Sequence, residues 1–168
     1  GALGNELNTI TASNGTTANF GDNVFTNNIT ATGTGVMSIA SGKIAYIFGN
    51  ASGTGSLIGS SGGNIIFGSA TSAVNQSISL AIGNNTTGRL ATVTVQTAPT
   101  AGSVTFSNNL YTTDFTNSGT TIIGSNGDIH VAGTLAGGGT IKGTTSTVGT
   151  LTFDGSALQT ISSQIGVD

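Results

Sequence analysis

A chain of 168 residues with 28 glycines, one proline and only 5% charged residues departs far from ordinary globular usage. With no cysteine in it, disulfides, thiolate catalysis and cysteine metal sites are excluded. A net charge of −3, from three basic and six acidic residues, excludes the dense basic footprint of a nucleic-acid binder and argues against an anionic membrane surface as partner.

Ile, Val, Leu and Phe recur in short clusters and mean hydropathy is +0.22, which sets the chain apart from a disordered linker. Aromatic residues are 5% and Trp is absent, so a thin core shared between short strands is expected. No run of 18 apolar residues occurs, and no charged stretch leads into an apolar one, so neither a transmembrane helix nor a signal peptide is predicted in this segment. Gly1 is not a natural start and the sequence stops in mid-pattern at Asp168, so export signals and any anchor are expected outside it.

In chain order, the run from Leu7 to Thr11 has the mixed apolar and polar character of a half-buried strand. Asn14-Gly15 and Gly21-Asp22 are turn signals. Apolar clusters follow at Val36 to Ile39, Ile44 to Phe48, Leu57-Ile58, Ile65 to Phe67 and Ile78 to Ile82, separated by Gly, Ser and Asn. No ten-residue stretch sustains the i, i+3, i+4 apolar spacing of a helix, and each interior Gly would cost a helix about 1 kcal/mol. Helix content near zero is therefore predicted.

Asn84 to Gly88 forms a polar seam, and Arg89 to Thr97 is the clearest strand, read as Leu90, Thr92 and Thr94 on one side and Ala91, Val93 and Val95 on the other. Pro99, with no amide hydrogen to give a ladder, belongs in a turn. Later clusters stand at Tyr111, Ile122-Ile123, Ile129 to Val131, Leu135, Ile141, Leu151 to Phe153 and Ile161.

The sequence is written twice. Residues 20–34 lie without gaps over 106–120, an offset of 86, with Val24 on Leu110, Phe25 on Tyr111 and Ile29 on Phe115. With small slips, 55–59 matches 139–143, 63–67 matches 149–153 and 76–83 matches 159–166, while Leu7 to Thr11 matches Leu90 to Thr94. The chain thus reads as one β-solenoid segment of two diverged tandem units, about 1–84 and 85–168. What repeats is the spacing of apolar clusters and glycines, which a stacked architecture needs because each unit buries its apolar face only against its neighbours.

Clusters around Phe25, Ile47, Ile66 and Leu90 stand 22, 19 and 24 residues apart, close to the ~20–25 residues of one solenoid coil. The fold class predicted is all-β, a parallel β-helix or β-solenoid of about eight short coils, a rod of roughly 40 Å. A sandwich or barrel is the competing all-β reading, since it too has short, evenly spaced strands.

No catalytic, cofactor-binding or metal-ligating residue is predicted. His130, the one histidine, is read as a strand residue facing solvent or a satisfied edge, equivalent to Ala45 when Gly42 is set on Gly127. That register puts Lys43 on Asp128, a charge reversal suited to an exposed turn, and Ile58 on Lys142 marks an outward position. Glu6, Asp22, Asp114, Asp128, Asp154 and Asp168 are too dispersed to suggest an acid and base pair. Gly124-Ser-Asn-Gly-Asp128 lacks the tandem copies of calcium-binding nonapeptide repeats. Gly53-Thr-Gly55 and Gly137-Gly-Gly139 lack the lysine and following helix of a phosphate loop, so turns are expected. Asn-x-Ser/Thr triplets such as Asn28-Ile-Thr30 follow from composition, and Thr92-Val-Thr94 stands alone, without the coil-by-coil pattern of an ice-binding face.

Gly149-Thr-Leu-Thr-Phe-Asp-Gly155, Ala157-Leu-Gln-Thr-Ile161 and Asn23-Val-Phe-Thr-Asn-Asn-Ile-Thr30 are phrases that give the whole chain its style. In them it resembles passenger domains of rickettsial outer-membrane autotransporter surface antigens. The resemblance implies an exported β-helix held outside the bacterial cell by a C-terminal barrel, acting without catalysis or cofactor in adhesion to host cells or as a surface coat. Its partners would be a host cell-surface protein or copies of itself through end-to-end or edge association, with no nucleic acid and no membrane insertion by this segment. A self-assembling filament or surface-array subunit is the structural alternative.

Overall fold

The computed structural model describes residues 1–69, 72–96, 102–144 and 149–166. Its elements follow from the alternation of apolar and small polar residues, broken every few positions by Gly, Asn or Ser. The first two turns are β1 (Leu7–Ala12) with β2 (Thr17–Phe20), and β3 (Val24–Ala31) with β4 (Val36–Ile39). Next come β5 (Ile44–Ile47), β6 (Ala51–Gly53) and β7 (Ser56–Gly59), then β8 (Asn64–Phe67), β9 (Asn75–Ile78) and β10 (Ala81–Ile82). β11 (Leu90–Val95) and β12 (Ser103–Phe106) precede β13 (Leu110–Asn117) and β14 (Thr120–Ile123). β15 (Asp128–Val131), β16 (Leu135–Ala136) and β17 (Thr140–Gly143) lead to β18 (Thr150–Phe153) and β19 (Gln164–Ile165).

Each of these strands pairs in parallel with strands one turn away, which makes the fold a β-solenoid of about seven turns and removes the sandwich. The described residues contain no helix, and therefore none long and apolar enough to cross a membrane. Three inward columns line the rod. One runs Val24, Ala45, Ile65, Val93, Phe115, Leu135; we call the surface behind it the first face. The second runs Ile29, Ala51, Ile78, Phe106, Ile123. The third runs Ala18, Met37, Leu57, Ile82, Leu110, Ile129, Leu151.

Seven turns rather than eight result from unequal coils. Phe67 pairs with Val95 and Ile78 with Phe106, steps of 28 residues, longer than the spacing read from the apolar clusters. Thr97, Pro99 and Asp168 lie outside the described residues.

The strand at Leu90 differs from the alternation expected of it. Leu90, Val93 and Val95 are all buried, so the backbone turns a corner at Ala91 and Thr92. In β3 and β13 the same corner falls at Asn27-Asn28 and at Thr113-Asp114, between the buried Thr26 and Ile29 and between the buried Thr112 and Phe115. Both buried threonines are satisfied in the same way. Thr26 Oγ1 donates to Leu7 O or Asn28 O, and Thr112 Oγ1 to Leu90 O or Asp114 O.

These matches expose a rotation that the sequence repeat conceals. Phe20 lies on the third face, in β2, whereas its repeat partner Phe106 lies on the second, in β12. Val24 of the first face maps onto Leu110 of the third, and Ile29 of the second onto Phe115 of the first. The offset of 86 residues therefore spans eleven faces, or three and two-thirds turns, as counted along the three columns. Gly53 and Gly137 mark equivalent corners, with φ of 115° and 103°. A Cβ at either would run into the carbonyl of the turn beneath, at Ala31 or Asn117, so only glycine lets the backbone approach this closely.

The aromatic core straddles the seam between the units. Phe67 meets Phe106 edge-to-face at 5.5 Å between ring centroids, and Phe106 meets Phe115 at 6.4 Å. Phe67 is fully buried, whereas its repeat partner Phe153, on the last turn, is only partly covered. Ile58 and Lys142 both point outward as expected, next to the buried Leu57 and Ile141.

Candidate functional site

Side chains on the outside of a solenoid strand stand one above another at the interstrand spacing, about 4.8 Å. On the third face of the last turns this places Tyr111 beside His130 and His130 beside Thr152, through the pairing of β13, β15 and β18. The Tyr111 and His130 rings stack at 4.2 Å, 13° from parallel. Because residues i and i+2 share a side of a strand, Asp128 joins His130 in β15, and Asp154 continues the side that Thr152 presents in β18.

The result is a linked polar cluster. His130 Nε2 is 3.1 Å from Asp128 Oδ2, and Nδ1 is 3.3 Å from Asp154 Oδ2. Thr152 Oγ1 donates to Asp128 Oδ1 at 3.1 Å. Arg89, at the seam, donates from Nη2 to Asp154 Oδ2 at 2.7 Å and to Asn85 Oδ1, and from Nη1 to Thr112 O at 2.9 Å. Its guanidinium lies 5.6 Å from the centre of the Tyr111 ring, within cation–π range. Burial acts to raise the Asp154 pKa, but the hydrogen bond and charge of Arg89, and then His130, outweigh it and hold the carboxyl below its ordinary value.

Two expectations are corrected here. The acids Asp128 and Asp154 are brought together around His130, although the chain separates them widely. The residue of unit one equivalent to His130 is Tyr46, not Ala45, since Tyr46 stacks on Phe25 at 4.4 Å as His130 stacks on Tyr111. Aligning Gly42 with Gly127 slips the register by one; Ala45 faces Val24 as Ile129 faces Leu110. The same slip undoes the pairing of Lys43 with Asp128. Lys43 instead meets Asp22 at 3.2 Å in an exposed ion pair.

Two strand fragments, Asp128-x-His130 and Thr152-x-Asp154, carried the signal for this cluster, because each puts two polar groups on one side. Arg89 had no such signal, being 65 residues from Asp154.

Chemically the cluster is closed on itself. The two carboxylates contact opposite nitrogens of one imidazole, so they do not converge on a common point, and among the described residues no group of three His, Cys, Asp or Glu could hold a metal ion. The Thr152 hydroxyl is directed to Asp128 and not to His130. Arg89 is spent on three acceptors. What the arrangement does is tie the seam to the last turn along the outside of the rod.

Elsewhere on the outside, asparagine side chains bond to the backbone of the next turn. Asn28 Nδ2 donates to Asn8 O, the Asn50 amide to Asn28 Oδ1 and the Ser77 amide to Asn50 Oδ1, one turn after another. Unit two repeats a rung of this ladder with a carboxylate, the Thr134 amide donating to Asp114 Oδ1. Comparison with protein-family models, with curated proteins and with solved structures finds no match to this chain.

Proposed function

We propose that the chain is a non-catalytic segment of an exported bacterial surface protein, a passenger of autotransporter type, which acts outside the cell in adhesion to host cells or as a surface coat. The observation that carries this reading is the parallel rod along which outward side chains bond to the backbone of the next turn, as Asn28 and Asn50 do between Asn8 O and the Ser77 amide. Apart from the pair Lys43–Asp22 and the cluster around His130, the described ion pairs leave the outside of the rod to neutral side chains. They engage a host surface protein through many weak contacts spread over a large area, so affinity per copy is low and display of many copies matters.

The sequence resemblance supports the same reading and supplies the cellular setting. Beads coated with the chain are expected to adhere to animal cells, while the free chain binds weakly, and adhesion should change little with salt because no single-sign patch steers it. Beads that bind no better than beads carrying an unrelated acidic β-protein would leave the coat role and remove the adhesive one.

A further inference from the structure

We propose that His130 is a proton-operated latch: with its imidazole protonated it fastens the outside of the turns of β15 and β18 to the seam at Arg89, and as it loses that proton the fastening weakens. The observation that carries this is a pair of carboxylates, one at each ring nitrogen. Nε2 stands 3.1 Å from Asp128 Oδ2, and Nδ1, which is closed off from solvent, faces Asp154 Oδ2 at 3.3 Å.

A neutral imidazole has one N–H, so in either tautomer its other nitrogen turns a lone pair toward a carboxylate oxygen. At Nδ1 burial keeps water from relieving that contact. An imidazolium gives an N–H to each carboxylate, and such charge-assisted bonds are roughly twice as strong as neutral ones. The charges of the cluster point the same way. Two carboxylates and one guanidinium leave one negative charge over, which a protonated His130 cancels.

The groups that face His130 come from every strand packed against it. β13 brings the Tyr111 ring, stacked at 4.2 Å, whose face favours a cation. Its own strand brings Asp128, and the turn of β18 brings Asp154 together with Thr152, which donates to Asp128 Oδ1. Arg89 stands behind Asp154, and its charge is offset there by Oδ2 at 2.7 Å. Asp114, three residues on from Tyr111, lies round the corner of β13, where it accepts from the Thr134 amide. On the inward side Ile129 and Val131 are buried and apolar. Burial and Arg89 act against the proton, whereas two carboxylates in direct contact with the ring act for it.

Both carboxylates are in place only in the folded chain, so the folded state gains from the proton. Stability is therefore greatest on the acid side of the imidazole range and falls as pH rises through it. Asp154 bounds the latch at the acid end, since its carboxyl takes up a proton only below the ordinary 3.8. Unit one has the ring pair without the latch, Phe25 on Tyr46 at 4.4 Å.

His130 is the single histidine and the chain has no cysteine, which leaves few groups that change charge between about pH 5 and 8. Urea unfolding across that range should show the folding equilibrium constant falling by roughly tenfold toward the higher pH. His130→Phe keeps a flat ring on Tyr111 and leaves Asp128 with Thr152 and Asp154 with Arg89; its profile should be flat. Asp128→Asn and Asp154→Asn each keep the imidazole and remove one carboxylate, and each should reduce the fall to about threefold. These two and the native chain decide the matter should His130→Phe not fold. A native profile that is flat or rises with pH, a His130→Phe chain that declines as the native chain does, or a fall undiminished in both Asn variants would overturn the proposal.

Discussion

Two outward columns occupy equivalent places in the two units and are built from opposite chemistry. In unit one it is Phe25, Tyr46 and Ile66, rings and aliphatic stacked by dispersion. In unit two it is Tyr111, His130 and Thr152, flanked by Asp128 and Asp154 and spanned by Arg89. The backbone sets the interval between rungs, and a pair of flat rings fills it in both units, at 4.4 Å and 4.2 Å. Where one ring is a histidine, Asp128 of its own strand and Asp154 of the next turn place carboxylates 3.1 and 3.3 Å from its two nitrogens. The difference teaches that rung spacing selects shape, while polarity is free to change wherever neighbouring strands compensate for it.

The largest effect should separate the core positions beneath these columns. Phe67→Ala is expected to cost about 3–5 kcal/mol, as for a fully enclosed phenylalanine, whereas Phe153→Ala, on the uncovered last turn, should cost about 1–2 kcal/mol. Urea unfolding in dilute solution measures both. Equal losses would mean that the last turn is covered in solution.

A smaller effect tests the charged column itself. Arg89 and Asp154 side chains keep only 16% and 24% of their accessible surface, against 39% and 87% for Lys43 and Asp22. Arg89→Ala, which leaves Asp154 with His130 alone beside it and Thr112 O with the Ala132 amide alone, is expected to cost roughly 1–3 kcal/mol, and Lys43→Ala far less, because its pair with Asp22 is solvated. Matching losses at the two sites would remove the distinction between a shielded network and a solvated pair.

Acid should sharpen the comparison further, with the smallest change in free energy. The folded pKa of Asp154 lies below its reference value of 3.8, so its contribution to stability is whole above that pH and is lost as pH falls through the folded pKa. The strands β15 and β18 should therefore loosen before β3, β5 and β8 as pH drops below about 4, followed by amide signals in two-dimensional NMR spectra. Asp154→Asn should flatten the difference; a uniform loss along the rod would sink it.

The parallel solenoid was readable because inward apolar positions leave a regular trace, such as Leu57 and Ile65 between glycines, and because the duplication doubled that trace. The register between Ala45 and Ile129 was not, since glycines align by turn chemistry and tolerate a slip of one. The ring pairs Phe25 with Tyr46 and Tyr111 with His130 would have fixed it, had stacking rather than glycine spacing guided the alignment. The corner at Leu90 was hidden because Ala and Thr suit either side of a strand, so nothing in their chemistry marks where alternation breaks. Arg89 and Asp154 meet only through the winding of the rod, a distance in sequence that no local pattern carries.

The rotation between units changes the unit of viable inheritance. If units had to superpose turn on turn, a duplication or deletion could survive only in lengths of a whole coil. Here the inward columns of all three faces accept one another's residues, as Phe20, Phe106 and their neighbours show, so the smallest tolerated change is one face, about eight residues, far shorter than the ~20–25 of a coil. Each such event would turn everything after it by a third of a revolution and present a different side of the rod outward. Lineages carrying this architecture can thus alter which surface is displayed through length alone, without substituting a single exposed residue.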